Sequence, residues 1–286
     1  MTVLVTGGEG CVGSATRKND DHEWRSYDLM KGFDIRDYDQ LERYINKYKP
    51  DRILHLAAIA RFAEADKDPK LAFETNVIGT KNVAELAGKY HLPIVYASTG
   101  SVYMPILEEP PISEEFRACG NSVYGCVKYL GELYIKESSS VWIILRYAHL
   151  YGKEKRHHGL IGGFVERIQR GLQPTLYGGK QSNDFTYIKD VARANILALT
   201  APWDSWNQIY NIGTGEELTA EKAGELICKE MGYSKGINIE EQRTVDPQRF
   251  VYNVDKAEKM LNFKAEFNFE QGLKDMFSYD TNISTE

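Results

Sequence analysis

Val3-Leu4-Val5-Thr6-Gly7-Gly8-Glu9-Gly10-Cys11-Val12-Gly13, at the start of the chain, decides the fold. Three apolar residues run directly into glycines at 7, 10 and 13. A buried strand ending this way answers three needs at once. One residue must take positive φ, one must let a ligand come close to the backbone, and one must let the next helix pack on the strand. The N-terminus of that helix then aims unsatisfied N–H groups across the turn, where an anion is stabilised. The stretch therefore reads as a pyrophosphate-binding turn lined by Gly7, Gly10, Cys11, Val12 and Gly13.

Further along, apolar runs at 24–27, 52–58, 94–97 and 141–145 alternate with helix-spaced segments at 41–48, 71–90 and 124–138. Nearly unbroken apolar strands separated by helices predict an α/β protein with a Rossmann-type, doubly wound parallel sheet. After Tyr151 the pattern loosens. Residues 159–163 and Gly178-Gly179 read as loops on either side of a helix over 164–170. Residues 184–199 read as a strand running into a helix, 210–212 as a strand, and 219–231 as a helix capped by Thr219. The expected division is an NAD-binding domain over 1–151, with 184–212 returning to it, and a smaller C-terminal α/β substrate lobe over 152–286.

An acid ending the second strand is the companion of such a turn. Asp28 stands there, in place to accept hydrogen bonds from the adenosine ribose and to repel a 2′-phosphate, which favours NAD over NADP. It follows Gly13 by 15 positions rather than about 20, so the first helix must be short.

Tyr124 and Lys128 are four apart and share one helix face. A phenol with a pKa of about 10 is a poor base at neutral pH. A neighbouring ammonium favours the phenolate, giving a group that can take a proton from a hydroxyl. The spacing alone is weak, because Tyr27/Lys31, Tyr151/Lys155 and Tyr252/Lys256 repeat it. Position singles out Tyr124, which opens a helix with Asn121 or Ser122 as cap. It also follows the strand and turn running from Val95 through Ser98-Thr99-Gly100-Ser101 to Tyr103. A hydroxyl ending that strand can hold the reacting oxygen. Thr99 is the first choice and Ser98 the second.

Composition narrows the partners. The 286 residues carry a net charge of −6, unlike the basic surface that nucleic acid requires. The four cysteines, at 11, 119, 126 and 228, have no metal-ligand spacing and are expected as reduced thiols. No apolar run approaches the roughly 20 residues of a membrane span, and no leader pattern follows Met1, so a cytoplasmic enzyme is expected.

With these residues in place the chain resembles the extended short-chain dehydrogenase/reductases, and most closely the UDP-glucose 4-epimerase-like sugar-nucleotide enzymes. The likeness runs from Thr6–Gly13 through Asp34-Ile-Arg-Asp37, His55-Leu-Ala-Ala58, Asn76-Val-Ile-Gly-Thr80, Ser98–Tyr103, Tyr124/Lys128 and Leu145–Gly152. It ends with Asp184–Asp190 and Tyr210–Gly215. The resemblance implies that Asp34 and Ile35 lie against the adenine, that Leu56, Ala57 and Ala58 line the cofactor cleft, and that Asn76 approaches the dinucleotide. It implies that Ser98 flanks the cofactor, that Lys128 also bonds the nicotinamide ribose, and that Tyr147 sits beside the nicotinamide. For the nucleotide-sugar substrate it points to Thr99, Tyr124, residues 159–164, Leu176, Tyr177 and Arg249. Relatives commonly pair through the helices at 71–90 and 124–138, so a homodimer is expected.

Two departures bear on substrate. His149 replaces an Asn that contacts the diphosphate in these enzymes, and Asn183 replaces an Arg that clamps a phosphate. Family dehydratases carry an acid directly after the catalytic Thr, where this chain has Gly100 and Ser101. Dehydration is thereby disfavoured, and the implied activity is 4-epimerisation of a UDP-hexose, by Tyr-assisted hydride transfer through a 4-keto sugar. Two alternatives stand: a sugar or uronate dehydrogenase/reductase, and a nucleotide-binding protein without catalysis. The joint presence of Thr99, Tyr124 and Lys128 speaks against the second.

Overall fold

The computed structural model describes residues 1–104, 109–139, 141–153, 159–241 and 249–278. Five strands alternate with helices: β1 (Thr2–Thr6), β2 (Glu23–Tyr27), β3 (Arg52–His55), β4 (Ile94–Thr99) and β5 (Trp142–Tyr147). With Gln208–Ile212 they form one six-stranded sheet in the order Gln208–Ile212, β5, β4, β3, β1, β2. Every pairing in it is parallel. Strands β1, β3, β4 and β5 are apolar because both faces are covered. Val5, Leu54, Val95 and Leu145 pack on one side with the Ile188–Leu199 helix. Leu4, Ile53, Ile94 and Ile144 pack on the other, with Val83, Leu86 and Ile135.

The first helix, Cys11–Lys18, has only 8 residues, as the short interval to Asp28 requires. Other boundaries differ from the sequence pattern. The third strand ends at His55 rather than Ala58. Leu56 N–H still reaches the Thr6 carbonyl (3.0 Å), but the chain then turns so that the Ala57 backbone abuts Gly7. The 71–90 helix begins at Pro69, capped by the Asp68 carboxylate on Leu71 N–H, and contains a π-helical segment, Glu74–Gly79. Such segments insert one residue per turn and recur at functional sites.

Residues 159–163, expected as a loop, are helical instead: one helix spans Gly159–Gln169. Ile161, Phe164 and Val165 bury one face of it, with Ala223 and Ile227 of the Ala220–Glu230 helix in the same apolar cluster. Burial of that stripe outweighs the backbone entropy of its glycines. Three small sheets accompany it. Ser182–Asn183 pairs with Leu218–Thr219 and Arg249–Phe250; Thr175–Tyr177 pairs with Asn238–Glu240; His149–Tyr151 pairs with Phe185–Tyr187. Thr219 caps its helix on Lys222 N–H (3.2 Å). No described helix is long and apolar enough to cross a membrane. The four cysteines are unpaired thiols, and no metal-binding cluster occurs among the described residues.

Candidate active site

Gly7 has φ +70°, and a Cβ there would lie 2.6 Å from Ala57 N. A Cβ on Gly13 would lie 2.7 Å from the Gly7 carbonyl oxygen. The turn is thus closed on both sides by backbone, and only glycine fits. Gly10 precedes the helix without any side-chain cap, so the first N–H groups of Cys11, Val12 and Gly13 have no intrahelical acceptor. Asp28 Oδ2 accepts from Glu9 N–H and Oδ1 from Met30 N–H, both at 2.9 Å. Each oxygen keeps a lone pair for a further donor such as a ribose hydroxyl. Glycine turn, open helix end and terminal acid together fit a dinucleotide.

The edge of this cleft is built by residues from separate elements. Ile35 is buried against Gly79, where a Cβ would meet Ile35 Cδ1 at 2.6 Å. The Asp34 carboxylate is held in a fork by Arg36 (Nε at 3.1 and 3.0 Å, Nη2 at 2.6 Å). Asn76 is fully buried, and both its polar groups engage Ile59: Oδ1 accepts from N–H (2.8 Å) and Nδ2 donates to the carbonyl (2.9 Å). Its side chain thus fixes the segment after Leu56-Ala57-Ala58.

At the C-terminal ends of β4 and β5, Thr99 and Tyr147 are direct partners in register. The Val123–Ser138 helix is capped by Ser122 on Gly125 N–H (3.1 Å), which settles the cap between Asn121 and Ser122. It places Tyr124 against this pair. The Thr99 hydroxyl, which donates to Ser101 Oγ (3.2 Å), is also close enough to act on the Tyr124 phenol. Burial pushes Tyr124 up to about 12, and the Thr99 hydroxyl opposes the shift. Lys128 lies on the same inward face, with Nζ 4.2 Å from the centre of the Tyr96 ring. Burial lowers Lys128 to about 7, opposed by the Glu132 carboxylate. The phenol is therefore governed by burial and Thr99, and the lysine sits over an aromatic face.

Three buried networks support these groups, and the sequence pattern did not single out Glu132, Asn195 or Thr16 among their members. Glu132 accepts from the Ser98 hydroxyl (2.6 Å) and forms a two-pronged pair with Arg146 (2.9 and 2.7 Å). Ser98 is committed there, which leaves Thr99 as the strand-end hydroxyl at the phenol. His55, with no exposed surface, bridges Thr6 Oγ1 (2.6 Å) and Thr80 Oγ1 (2.9 Å); burial, and then Lys128, lower it to about 3. Tyr147 donates to Asn195 (2.6 Å), whose amide reaches Thr16 in the first helix (3.1 Å). His55 and Arg146 fall inside the quoted stretches His55–Ala58 and Leu145–Gly152, but nothing in the sequence marked which buried partners they hold.

Across the cleft, Asn183 and Arg249 belong to one small sheet. Arg249 makes a fork with Glu217 (2.8 and 2.7 Å). His149 stacks edge-on against Phe185 (5.5 Å between centroids). Leu176 is buried in the lobe's apolar cluster, whereas Tyr177 beside it is partly exposed. The aspartates at the two ends of the Asp184–Asp190 motif prove to be staples. Asp184 accepts from Thr214 N–H and Oγ1 (both 2.8 Å) and from Gly215 N–H (3.0 Å). Asp190 accepts from Glu266 and Phe267 N–H (2.8 and 3.1 Å).

A glycine turn on the first strand of a parallel sheet, an acid ending the second, and a Thr–Tyr pair with a buried lysine define a Rossmann-type dinucleotide enzyme of the extended short-chain dehydrogenase/reductase kind. Residues 3–213 match the model of the NAD-dependent epimerase/dehydratase family, and the chain belongs to that family, with NAD as cofactor. By family it is an NAD-dependent nucleotide-sugar epimerase. A Methanocaldococcus jannaschii protein with a provisional UDP-glucose 4-epimerase name is 31% identical, over 98% of each chain. The UDP-glucose 4-epimerase of Thermotoga maritima, solved with UDP-glucose, superposes with TM-score 0.88 at 28% identity, over 99% of both chains. That of Thermus thermophilus, solved with NAD, gives 0.86 at 28% identity, over 99% of this chain and 100% of the other.

Proposed function

We propose that the enzyme interconverts UDP-hexoses at C4. The observation that carries this reading is a position closed to any acid directly after Thr99, the strand-end hydroxyl whose side chain lowers the pKa of Tyr124. A Cβ on Gly100 would lie 2.2 Å from Phe250 Cζ and 2.6 Å from the Tyr252 hydroxyl. The site where family dehydratases carry their acid therefore has no room for one, and epimerisation needs none.

NAD, when bound, supplies a reversible hydride acceptor. Thr99 holds the C4 hydroxyl and Tyr124 takes its proton, then returns it once the 4-keto sugar has presented its other face. A phenol at about 12 in the bare site is a weak base. The positive charge that a bound oxidised nicotinamide brings favours the phenolate by the same rule as any nearby cation. Gly7, Gly10, Cys11, Val12, Gly13, Asp28, Asp34, Ile35, Leu56 to Ala58, Asn76, Ser98, Tyr124, Lys128 and Tyr147 form the cofactor side. His149, residues 159–164, Leu176, Tyr177, Asn183 and Arg249 form the nucleotide-sugar side, with residues 1–151 and 184–212 as the cofactor domain. Arg249 must exchange part of its fork with Glu217 for diphosphate oxygens.

The test is product analysis by chromatography and mass spectrometry, after incubation with NAD and UDP-, dTDP- and GDP-sugars and free uronates. The expected result is a new peak of unchanged mass from a UDP-hexose, with Tyr124→Phe reducing the rate by about 100-fold or more. Loss of water would overturn the reading of Gly100. Loss of two hydrogens with NADH accumulating would make the enzyme a dehydrogenase.

A further inference from the structure

We propose that Glu9, inside the glycine turn, is a second determinant of cofactor selectivity: its carboxylate holds Arg17 and Lys31 away from a 2′-phosphate. The proposal rests on the placement of Asp28 at the adenosine ribose. Glu9 N–H donates to Asp28 Oδ2 at 2.9 Å, so the two acids share one end of the cleft. The Glu9 carboxylate accepts from the Ser26 hydroxyl (2.7 Å) and pairs with Lys31 Nζ (2.8 Å) and Arg17 Nη2 (3.1 Å). Arg17 also donates to the Gly8 carbonyl (2.8 Å), and its buried Nε has no hydrogen-bond partner. A Cβ on Gly8 would lie 2.5 Å from Ser26 Oγ, so this turn is packed tightly on the residue that anchors Glu9.

Charge arithmetic decides the consequence. Asp28 and Glu9 bring two negative charges and Arg17 and Lys31 two positive ones, so the cluster is neutral. In dinucleotide folds, a cation near the ribose acid is what accommodates a 2′-phosphate. This chain has two such cations, and both are occupied by Glu9. The hydrogen bond from Lys31 and that from Ser26 hold Glu9 at about 2, so it is ionised at any working pH. A dianionic phosphate would have to displace one carboxylate while facing the other. Removing the Glu9 charge alone leaves a net positive cluster with free guanidinium and ammonium donors.

The experiment titrates the full chain, freed of copurified dinucleotide, with NAD and with NADP by calorimetry. Glu9→Gln keeps the size of the side chain and should tighten NADP at least about tenfold, as one regained charge-assisted hydrogen bond implies, while NAD stays within about threefold. Glu9→Ala should shift NADP in the same direction, and thermal melting of both variants checks folding. Adding Arg17→Gln and Lys31→Gln to Glu9→Gln should remove the gain. Equal changes for both dinucleotides, or a gain that survives loss of both cations, would overturn the proposal. Asp28→Asn serves as the separate control: unchanged NAD affinity there refutes the ribose placement, whereas unchanged NADP affinity in Glu9→Gln refutes the role of Glu9.

Discussion

Burial of Lys128 sets its charge before any ligand arrives. Its ammonium lies over the Tyr96 ring inside the protein, and burial brings its pKa from 10.5 to about 7. Between those values the unfolded chain holds a proton that the folded chain lacks, so its contribution to stability rises with pH across that window. The cost is full below about 7. Lys128→Met should therefore stabilise the cofactor-free protein near neutral pH by roughly a few kcal/mol, and this advantage should shrink towards about pH 9.5. Denaturant unfolding of both proteins at about pH 6.5 and about pH 9.5 checks it. A difference that does not change with pH would mean that Lys128 is not desolvated as the packing implies. Thr99 and Tyr124 were legible in the sequence because strand end and helix start fix where they point. The seat of Lys128 was not, since it depends on a tyrosine from β4 that only the fold brings beneath it.

At the scale of elements, the Val123–Ser138 helix is bolted to β5 by one buried ion pair, Glu132 with Arg146, both almost without exposure. The Arg146 guanidinium also lies 4.6 Å from the centre of the Tyr103 ring, whose hydroxyl reaches Asn211 (2.8 Å). A chain of polar contacts thus crosses the floor of the site from Ser98 to the Gln208–Ile212 strand. Breaking such a pair on one side strands a charge in the interior and costs about 3–5 kcal/mol. Glu132→Ala should lower the melting temperature by roughly 6–15 °C. The double replacement of Glu132 and Arg146 by Met should recover most of that loss in the same measurement. If the double variant is as unstable as the single one, packing rather than charge holds the helix. The alternation of strands and helices was readable because period and composition are local. The π-helical segment and the helical start at Gly159 were not. The first is fixed by Asn76 gripping Ile59, the second by apolar packing against the Ala220–Glu230 helix, and both are long-range contacts.

At the scale of the whole molecule, the outward face of two neighbouring helices remains to be covered. On the Val123–Ser138 helix, Cys126, Leu130, Leu133 and Glu137 follow one another at helical spacing and are exposed, while Tyr124, Lys128, Glu132 and Ile135 face inward. The adjoining helical segments over 69–89 expose Phe73 and Ile78. Single exposed apolar residues are ordinary, but four on two packed helices form a patch of the kind that marks an interface. Two copies related by a twofold axis would lay these helices against each other in a four-helix contact, the closed arrangement that a self-complementary patch favours. A homodimer through this face is therefore proposed. Sedimentation at micromolar concentration should give about twice the chain mass, and Leu133→Lys should shift the equilibrium towards monomer by burying an unpaired charge at the seam. Because Tyr124 and Lys128 lie on the opposite face of the same helix, the monomeric variant should still bind NAD. A wild-type chain that sediments at single mass would refute pairing through this face.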